Sequence, residues 1–123
     1  MNYFNVAGKT ILVTGSARGI GKNISDSLKE LGANVIDADV AFDVYTSHRW
    51  GGDLTNPENL SILLDVIKAE HGKIDVLINN AGITLPSNNK SYPVSDWQKT
   101  LSVNLGLPFM LTSKAIEEDI LSH

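Results

Sequence analysis

The run Thr14-Gly15-Ser16-Ala17-Arg18-Gly19-Ile20-Gly21 follows the apolar stretch Thr10-Ile11-Leu12-Val13 and opens an amphipathic segment. This pattern predicts a strand, a glycine turn and the N-terminus of a helix. The first N–H groups of a helix have no intrahelical partner, and the helix dipole places partial positive charge beside them. An anion such as the pyrophosphate of a dinucleotide fits there. Gly15 permits the tight turn, Gly19 lets backbone approach phosphate, and Gly21 lets the helix pack close to the strand. Glycines also mark ordinary loops, so the strand before the cluster and the helix after it carry the reading.

The elements that must position this turn follow from hydrophobic spacing. A strand over Thr10–Thr14 leads into a helix over Gly19–Leu31, with Ile20, Ile24, Leu28 and Leu31 expected on its buried face. Gly32 suits a left-handed helix stop. Ala33-Asn34-Val35-Ile36 reads as a second strand ending near Asp39, and a short third strand is expected around Arg49–Gly52. Asn56-Pro57-Glu58 announces a helix, with Asn as N-cap, Pro in the first turn and an acid near the positive dipole end. Leu60, Leu63, Leu64 and Ile67 form its predicted buried face. Lys73–Ile78 reads as a fourth strand whose continuous apolar core suits a parallel strand covered on both faces. Pro86–Pro93 is a polar loop, and a long helix is expected from Ser95, with Ser95 and Gln98 as a capping box. Trp97, Leu101, Leu105, Phe109 and Leu111 are expected to pack rather than bind. This alternation of strands and helices belongs to an α/β doubly wound parallel sheet. The Asp39-to-Asp53 connection is too short to hold a full crossover helix.

Proline supplies a second local argument. Pro108 has no N–H, and in a regular helix that N–H would bond the carbonyl of Asn104. Gly106 loosens the same turn. The Asn104 carbonyl is therefore expected to be free for a water, the alternative being a plain proline kink.

Composition bounds the remaining possibilities. The chain has 123 residues, enough for one domain over 1–123, and is 42% hydrophobic with a formal charge of -4. Lys and Arg are scattered singly, which argues against a nucleic-acid partner. There is no cysteine, so disulfides and thiolate metal sites are excluded. No signal-peptide core follows Met1, and no apolar run approaches the ~20 residues of a membrane span. A soluble cytoplasmic protein with no membrane partner is expected. His48, His71 and His123 match no ligand spacing, so no metal site is expected and each is expected at the surface.

With Thr14-Gly-x-x-x-Gly-Ile-Gly21, Asp53 in Gly52-Asp53-Leu54-Thr55, Asn79-Asn80-Ala81-Gly82, and Asn104 in Val103-Asn104-Leu105, the chain resembles the short-chain dehydrogenases/reductases. The resemblance covers nearly the whole chain but only the N-terminal half of the family, and implies a partial Rossmann-type sheet of about four strands. It implies that Gly15, Ser16, Arg18, Gly19, Ile20 and Gly21 contact the pyrophosphate and ribose of a dinucleotide. Asp53 and Leu54 would contact adenine, although Asp53 also suits a strand-end turn. Asn80, Ala81 and Gly82 would line the ribose and nicotinamide, while Asn79 would brace neighbouring strands. Asp39 sits where the family selects its cofactor; a carboxylate there favours NAD over NADP. Asp37 competes for that role, and Arg18 argues for NADP because it could pair with a 2′-phosphate. The Asn104 carbonyl would be a relay station for protons on their way to a catalytic lysine.

The family's chemistry is hydride transfer between nicotinamide and an alcohol or carbonyl carbon, with a Tyr-x-x-x-Lys pair and a serine handling the oxygen. Neither feature matches here: Tyr3 is followed four residues on by Ala7, Tyr45 by Arg49 and Tyr92 by Asp96. The expectation is a cofactor-binding half, inactive alone, of an NAD-linked oxidoreductase (NADP being the other choice) acting on a small alcohol or ketone. Its full-length form is expected to be a homo-oligomer, part of the long helix serving as interface. The competing readings are a non-catalytic dinucleotide-binding module and an inactive fragment that docks its open sheet edge on another chain.

Overall fold

A computed structural model describes residues 5–43, 45–83 and 93–122. Four strands, β1 (Thr10–Thr14), β2 (Asn34–Asp39), β3 (Arg49–Gly51) and β4 (Val76–Ile78), form one parallel sheet in the order β3-β2-β1-β4. Ile11 pairs with Val35 on one side and Val76 on the other, and Asp37, Ala38 and Asp39 pair with Arg49, Trp50 and Gly51. The helices are α1 (Gly19–Glu30), α2 (Pro57–His71), α3 (Val94–Leu101) and α4 (Leu107–Glu117); a π-helical turn, Ser102–Gly106, joins α3 to α4.

Period-two alternation in β1 and β2 divides the core between two faces. Ile11, Val13 and Val35 pack with Leu28 of α1 on one face. Leu12, Ile36 and Ala38 pack on the other with Leu60, Leu63, Leu64 and Ile67 of α2 and Leu107, Leu111 and Ala115 of α4. With helices on both faces, the sheet is doubly wound and Rossmann-like, as its strand and helix order predicts. Among the described residues no helix separates β2 from β3, in keeping with the short connection.

Asn56 caps α2 through its side chain, which accepts from the Glu58 N–H at 2.9 Å, and Pro57 opens the helix. The C-terminal stop of α1 is Gly32 at φ +88°. Other expectations are corrected. The α1 face turned to the sheet carries Gly21 and Ser25, both buried, with Ile24 and Leu28 half-buried, while Ile20 and Leu31 are 73% and 61% exposed. Gly21 faces inward because α1 sits too close to the turn after β1 for a side chain there, and Ser25 because its hydroxyl bonds the buried Asp37. The capping box at Ser95 does not form: α3 starts at Val94 with Pro93 as N-cap and no side-chain cap bond. Ser95 thus lies inside the first turn, and the Pro93 carbonyl accepts from Asp96 and Trp97.

Strand β4 is shorter than the expected Lys73–Ile78, because Ile74 instead bridges to Leu121 through its N–H to the Ile120 carbonyl at 2.8 Å. It is an edge strand among the described residues, yet Leu77 packs on the α2–α4 side of the core and Ile78 on the α1 side, so both faces are partly covered, while Val76 is exposed. Of the five residues expected to pack along the long helix, only Leu111 is buried; Trp97, Leu101, Leu105 and Phe109 are exposed on the opposite side. The inner stripe is Leu107-Leu111-Ala115, at the four-residue spacing that keeps one face on the sheet. Nearly all of the predicted polar loop before Pro93 lies outside the described residues.

Candidate functional site

Parallel strands end together, so the loops after β1, β2, β3 and β4 meet at one edge of the sheet. They enclose a cleft of about 720 Å³, within the size range of small-ligand sites. Thr14, Gly15, Arg18 and Gly19 line it from the first loop, Asp39, Val40 and Ala41 from the second, and Gly52–Thr55 from the third. Asn80–Ile83 and the helical residues Lys99, Ser102, Val103 and Leu107 close the other side.

The N-terminus of α1 opens at this cleft without a side-chain cap. Arg18, its N-cap, has extended backbone and no capping bond, and the first turn carries no acid. Gly19 has φ +61°, a conformation L side chains rarely adopt, and beyond its own turn of helix no described atom lies within 4 Å of where its Cβ would be. Gly21 is the opposite case, a matter of close packing. A Cβ there would fall 2.1 Å from the Gly15 carbonyl oxygen and 2.3 Å from Asn80 Nδ2. The helix therefore packs on the glycine turn and on Asn80 together. Ser16 is buried and its hydroxyl has no partner among the described residues, the kind of orphaned polar atom that a ligand oxygen would satisfy.

Thr14 ties this turn to the β4 loop. Its Oγ1, in a buried residue, accepts from the N–H groups of Asn80 at 3.1 Å and Ala81 at 3.0 Å and donates to the Ile78 carbonyl at 3.4 Å. Asn80 Nδ2 donates to the Gly15 carbonyl at 3.0 Å. The tie expected of Asn79 thus belongs to Asn80, while Asn79 Nδ2 donates to Thr112 Oγ1 of α4 at 3.2 Å.

The two candidate carboxylates of β2 part company. Asp37 is buried and consumed by Ser25 Oγ at 2.6 Å and Lys29 Nζ at 2.8 Å. Asp39 lines the cleft, oriented by the Ala17 N–H on Oδ2 at 3.0 Å and the Ala41 N–H on Oδ1 at 2.9 Å. Asp53 also lines the cleft, yet its Oδ1 accepts from both the N–H and the hydroxyl of Thr55, at 3.0 and 2.7 Å. The strand-end turn that Asp53 suited is thus present, in a residue that also faces the cleft. Leu54 beside it is buried.

Asn104 stands in the π-turn, where the Leu107 N–H reaches back five residues to the Ser102 carbonyl. Widening the turn accommodates Pro108 without breaking the helix. The Asn104 side chain clamps the end of the β4 loop: Oδ1 accepts from the Ile83 N–H at 2.8 Å and Nδ2 donates to the Ile83 carbonyl at 2.9 Å. Sequence reasoning expected work from the Asn104 backbone and missed this side-chain clamp.

Of the expected binding residues, Gly15, Arg18, Gly19, Asp39, Asp53, Leu54, Asn80, Ala81 and Gly82 line the cleft. Ser16, Ile20, Gly21 and Asn104 stand behind or beside it. Lys99, Ser102 and Val103 were not anticipated; only their helical spacing of three to four residues ahead of Leu107 hinted at a common face. An open helix N-terminus and glycines without side chains in one cleft, with the unpartnered Ser16 hydroxyl in the turn beside it, fit a dinucleotide.

The short chain dehydrogenase family model matches residues 9–121. This chain belongs to that family.

Short-chain dehydrogenases are oxidoreductases that use a nicotinamide cofactor and a small-molecule substrate. Among similar members is the 3-oxoacyl-acyl-carrier-protein reductase FabG of Vibrio cholerae, 39% identical over 121 residues, covering 91% of this chain and 49% of that protein. An NAD-dependent glycerol dehydrogenase of Listeria innocua is 33% identical over 117 residues, covering 88% of this chain and 46% of its own length. Thermoplasma acidophilum aldohexose dehydrogenase, solved in ligand-free form, superposes with a TM-score of 0.81 at 31% identity, covering 91% of this chain and 44% of that one. The chain spans about half the length of the curated relatives it matches. Among the described residues no helix is long and apolar enough to cross a membrane.

Proposed function

We propose that this chain is the cofactor-binding half of an NAD-linked short-chain oxidoreductase acting on a small alcohol or ketone. The carrying observation is that the uncapped N-terminus of α1 and the Asp39 carboxylate line one glycine-walled cleft, with the Ser16 hydroxyl, unpartnered among the described residues, in the turn beside it. In this reading Gly15, Ser16, Arg18, Gly19, Ile20 and Gly21 hold the pyrophosphate and its ribose. Asp53 and Leu54 hold adenine, and Asn80, Ala81 and Gly82 flank the nicotinamide ribose. When bound, the cofactor supplies the hydride acceptor or donor.

Asp39 orients the adenosine ribose by accepting from its hydroxyls, and its charge repels a 2′-phosphate. Asp37 is unavailable for that task because its carboxylate already serves Ser25 and Lys29. The Listeria relative, NAD-dependent by name, supports the same choice. Asn104 contributes by holding Ile83 with its side chain and, through its carbonyl, by holding a water that relays protons.

These 123 residues contain no tyrosine with lysine four positions on, so this half alone is expected to bind cofactor without turning over. The exposed stripe of Trp97, Leu101, Leu105 and Phe109 supports assembly of the oxidoreductase through this helix. Calorimetric titration of the folded chain with NADH and NADPH tests the reading. Binding with NADH preferred is expected; a folded chain that binds neither overturns it.

A further inference from the structure

At the end of the sheet opposite the cleft, side chains remote in sequence close a hydrogen-bonded circuit. Asn34, the first residue of β2, sets its amide between two imidazoles. Oδ1 lies 2.6 Å from His48 Nε2, and Nδ2 lies 3.1 Å from His71 Nδ1 and 3.1 Å from Thr10 Oγ1. His71 Nε2 faces the Ser47 carbonyl, and His48 Nδ1 lies 2.9 Å from Ser47 Oγ. The two rings stand edge to face with centroids 5.0 Å apart. Two histidines expected as separate surface residues are thus joined through one amide.

Donor and acceptor chemistry restricts where protons can sit. A carbonyl only accepts, so His71 carries hydrogen on Nε2 to meet Ser47. Neutral His71 then offers a lone pair at Nδ1, which accepts from the Asn34 amide. Asn34 Oδ1 only accepts, so His48 carries hydrogen on Nε2 as well. At His48 Nδ1 the partner is a hydroxyl, which donates to a bare nitrogen or accepts from a protonated one.

A proton added to His48 is therefore accommodated by rotating the Ser47 hydroxyl. A proton added to His71 Nδ1 would face an amide N–H unless Asn34 turned its amide over. Turned, Oδ1 accepts from His71 and Nδ2 donates to His48 Nε2, which must then be bare. Thr10 Oγ1 suits either orientation by accepting or donating. Each ring can hold the extra proton, but both cannot.

We infer that Asn34 makes protonation of His48 and His71 mutually exclusive. The pair is a one-proton clasp that fastens the segment before β3 to the end of α2 and the start of β2. A second proton opens it.

The amide, rather than a counter-charge, imposes this rule. Among the described residues neither ring has a carboxylate partner. The charged groups of the elements around the clasp are Lys9 before β1, Asp75 before β4, Arg49 at the start of β3, and Lys68, Glu70 and Lys73 about the end of α2. Asp75 Oδ2 is held by the Thr10 N–H at 2.9 Å, and Arg49 lies over the Phe42 ring at 4.5 Å. Asp37, further along β2, is paired with Lys29.

Nitrogen-resolved imidazole NMR of the full chain, from roughly pH 8 to 5, reads each ring directly. At the alkaline end both rings should be Nε2–H tautomers. On acidification the pair should take up one proton while the Ser47 and His48 amide signals stay native. The second should need a hydrogen-ion concentration at least about tenfold higher than in His48→Gln or His71→Gln. Asn34→Asp, whose carboxylate accepts from both rings, should let both protonate together with the native amide signals kept. Two rings that protonate independently in the wild type, as they do in the single-histidine variants, would overturn the inference. That comparison decides by itself if Asn34→Asp does not fold.

Discussion

The side-chain amide of Asn80 donates to the carbonyl of Gly15, 65 positions earlier, at 3.0 Å. This bond joins the loop after β4 to the turn after β1, the two central loops of the cleft. The position a Cβ on Gly21 would take is occupied by the same two groups. Glycine turn, helix start and β4 loop are therefore one packed unit, and a change in any of them is felt by the others.

Gly21→Ala tests that unit. The added methyl would sit 2.1 Å from the Gly15 oxygen and 2.3 Å from Asn80 Nδ2, forcing backbone as well as side chain to move. Overpacking of this kind costs roughly 1–3 kcal/mol. Chemical denaturation should show a loss in that range, and calorimetry should show at least about tenfold weaker dinucleotide binding, which corresponds to ~1.4 kcal/mol.

Thr14→Val removes the acceptor of the Ala81 N–H, and one of the two acceptors of the Asn80 N–H, which also meets the Ile78 carbonyl at 3.1 Å, while keeping nearly the same shape. A buried N–H left unpaired costs about 1–3 kcal/mol. Denaturation midpoints should fall accordingly, and hydrogen exchange at Ala81 should accelerate. Thr14→Ser keeps the oxygen and should retain most of the stability.

Cofactor choice should turn on Asp39. Replacing it with serine removes the charge opposed to a 2′-phosphate but leaves a hydroxyl for the ribose. The NADPH-to-NADH affinity ratio should rise by at least about tenfold, or ~1.4 kcal/mol. Competitive titration of both cofactors against wild type and Asp39→Ser reads the ratio directly. Asp37→Asn, by contrast, should lower stability by weakening the Lys29 pair and leave the ratio unchanged.

The end of α4 offers a purely conformational test. Asp119 has φ +59°, the only non-glycine residue at positive φ among those described. The Ile120 N–H beyond it reaches back to the Ala115 carbonyl at 2.8 Å, so the helix closes through this left-handed residue. A β-branched side chain is strained there by roughly 1–2 kcal/mol. Asp119→Val should lower the thermal midpoint, whereas Asp119→Gly should hold or raise it.

Most of the cleft was legible in the sequence because its parts are local. A strand, a glycine turn and a helix start within twelve residues, Thr10–Gly21, need only short-range sterics to declare themselves. The N-cap of α2 was legible for the same reason: Asn56, Pro57 and Glu58 carry their own geometry. Errors arose where burial depends on what lies across the sheet. Ile20 and Leu31 have the spacing of a buried face, yet Gly21 and Ser25 occupy it, Gly21 packed on the glycine turn and Ser25 bonded to Asp37 of β2. Phe109 and Trp97 are apolar enough for a core, but the four-residue stripe of Leu107, Leu111 and Ala115 took the inner face.

The sequence by itself determined the alternation of strands and helices, the glycine turn before α1 and the candidate carboxylates. Each depends on neighbours a few residues away. Only the tertiary structure decided which of Asp37 and Asp39 faces the cleft, that Asn80 rather than Asn79 ties the loops, and that His48 and His71 share one amide. Those outcomes depend on pairings across 12 to 65 positions of chain. Spacing along the sequence does not encode such pairings. They exist once strand register and helix placement bring distant hydrogen-bonding groups within 3 Å or so of each other.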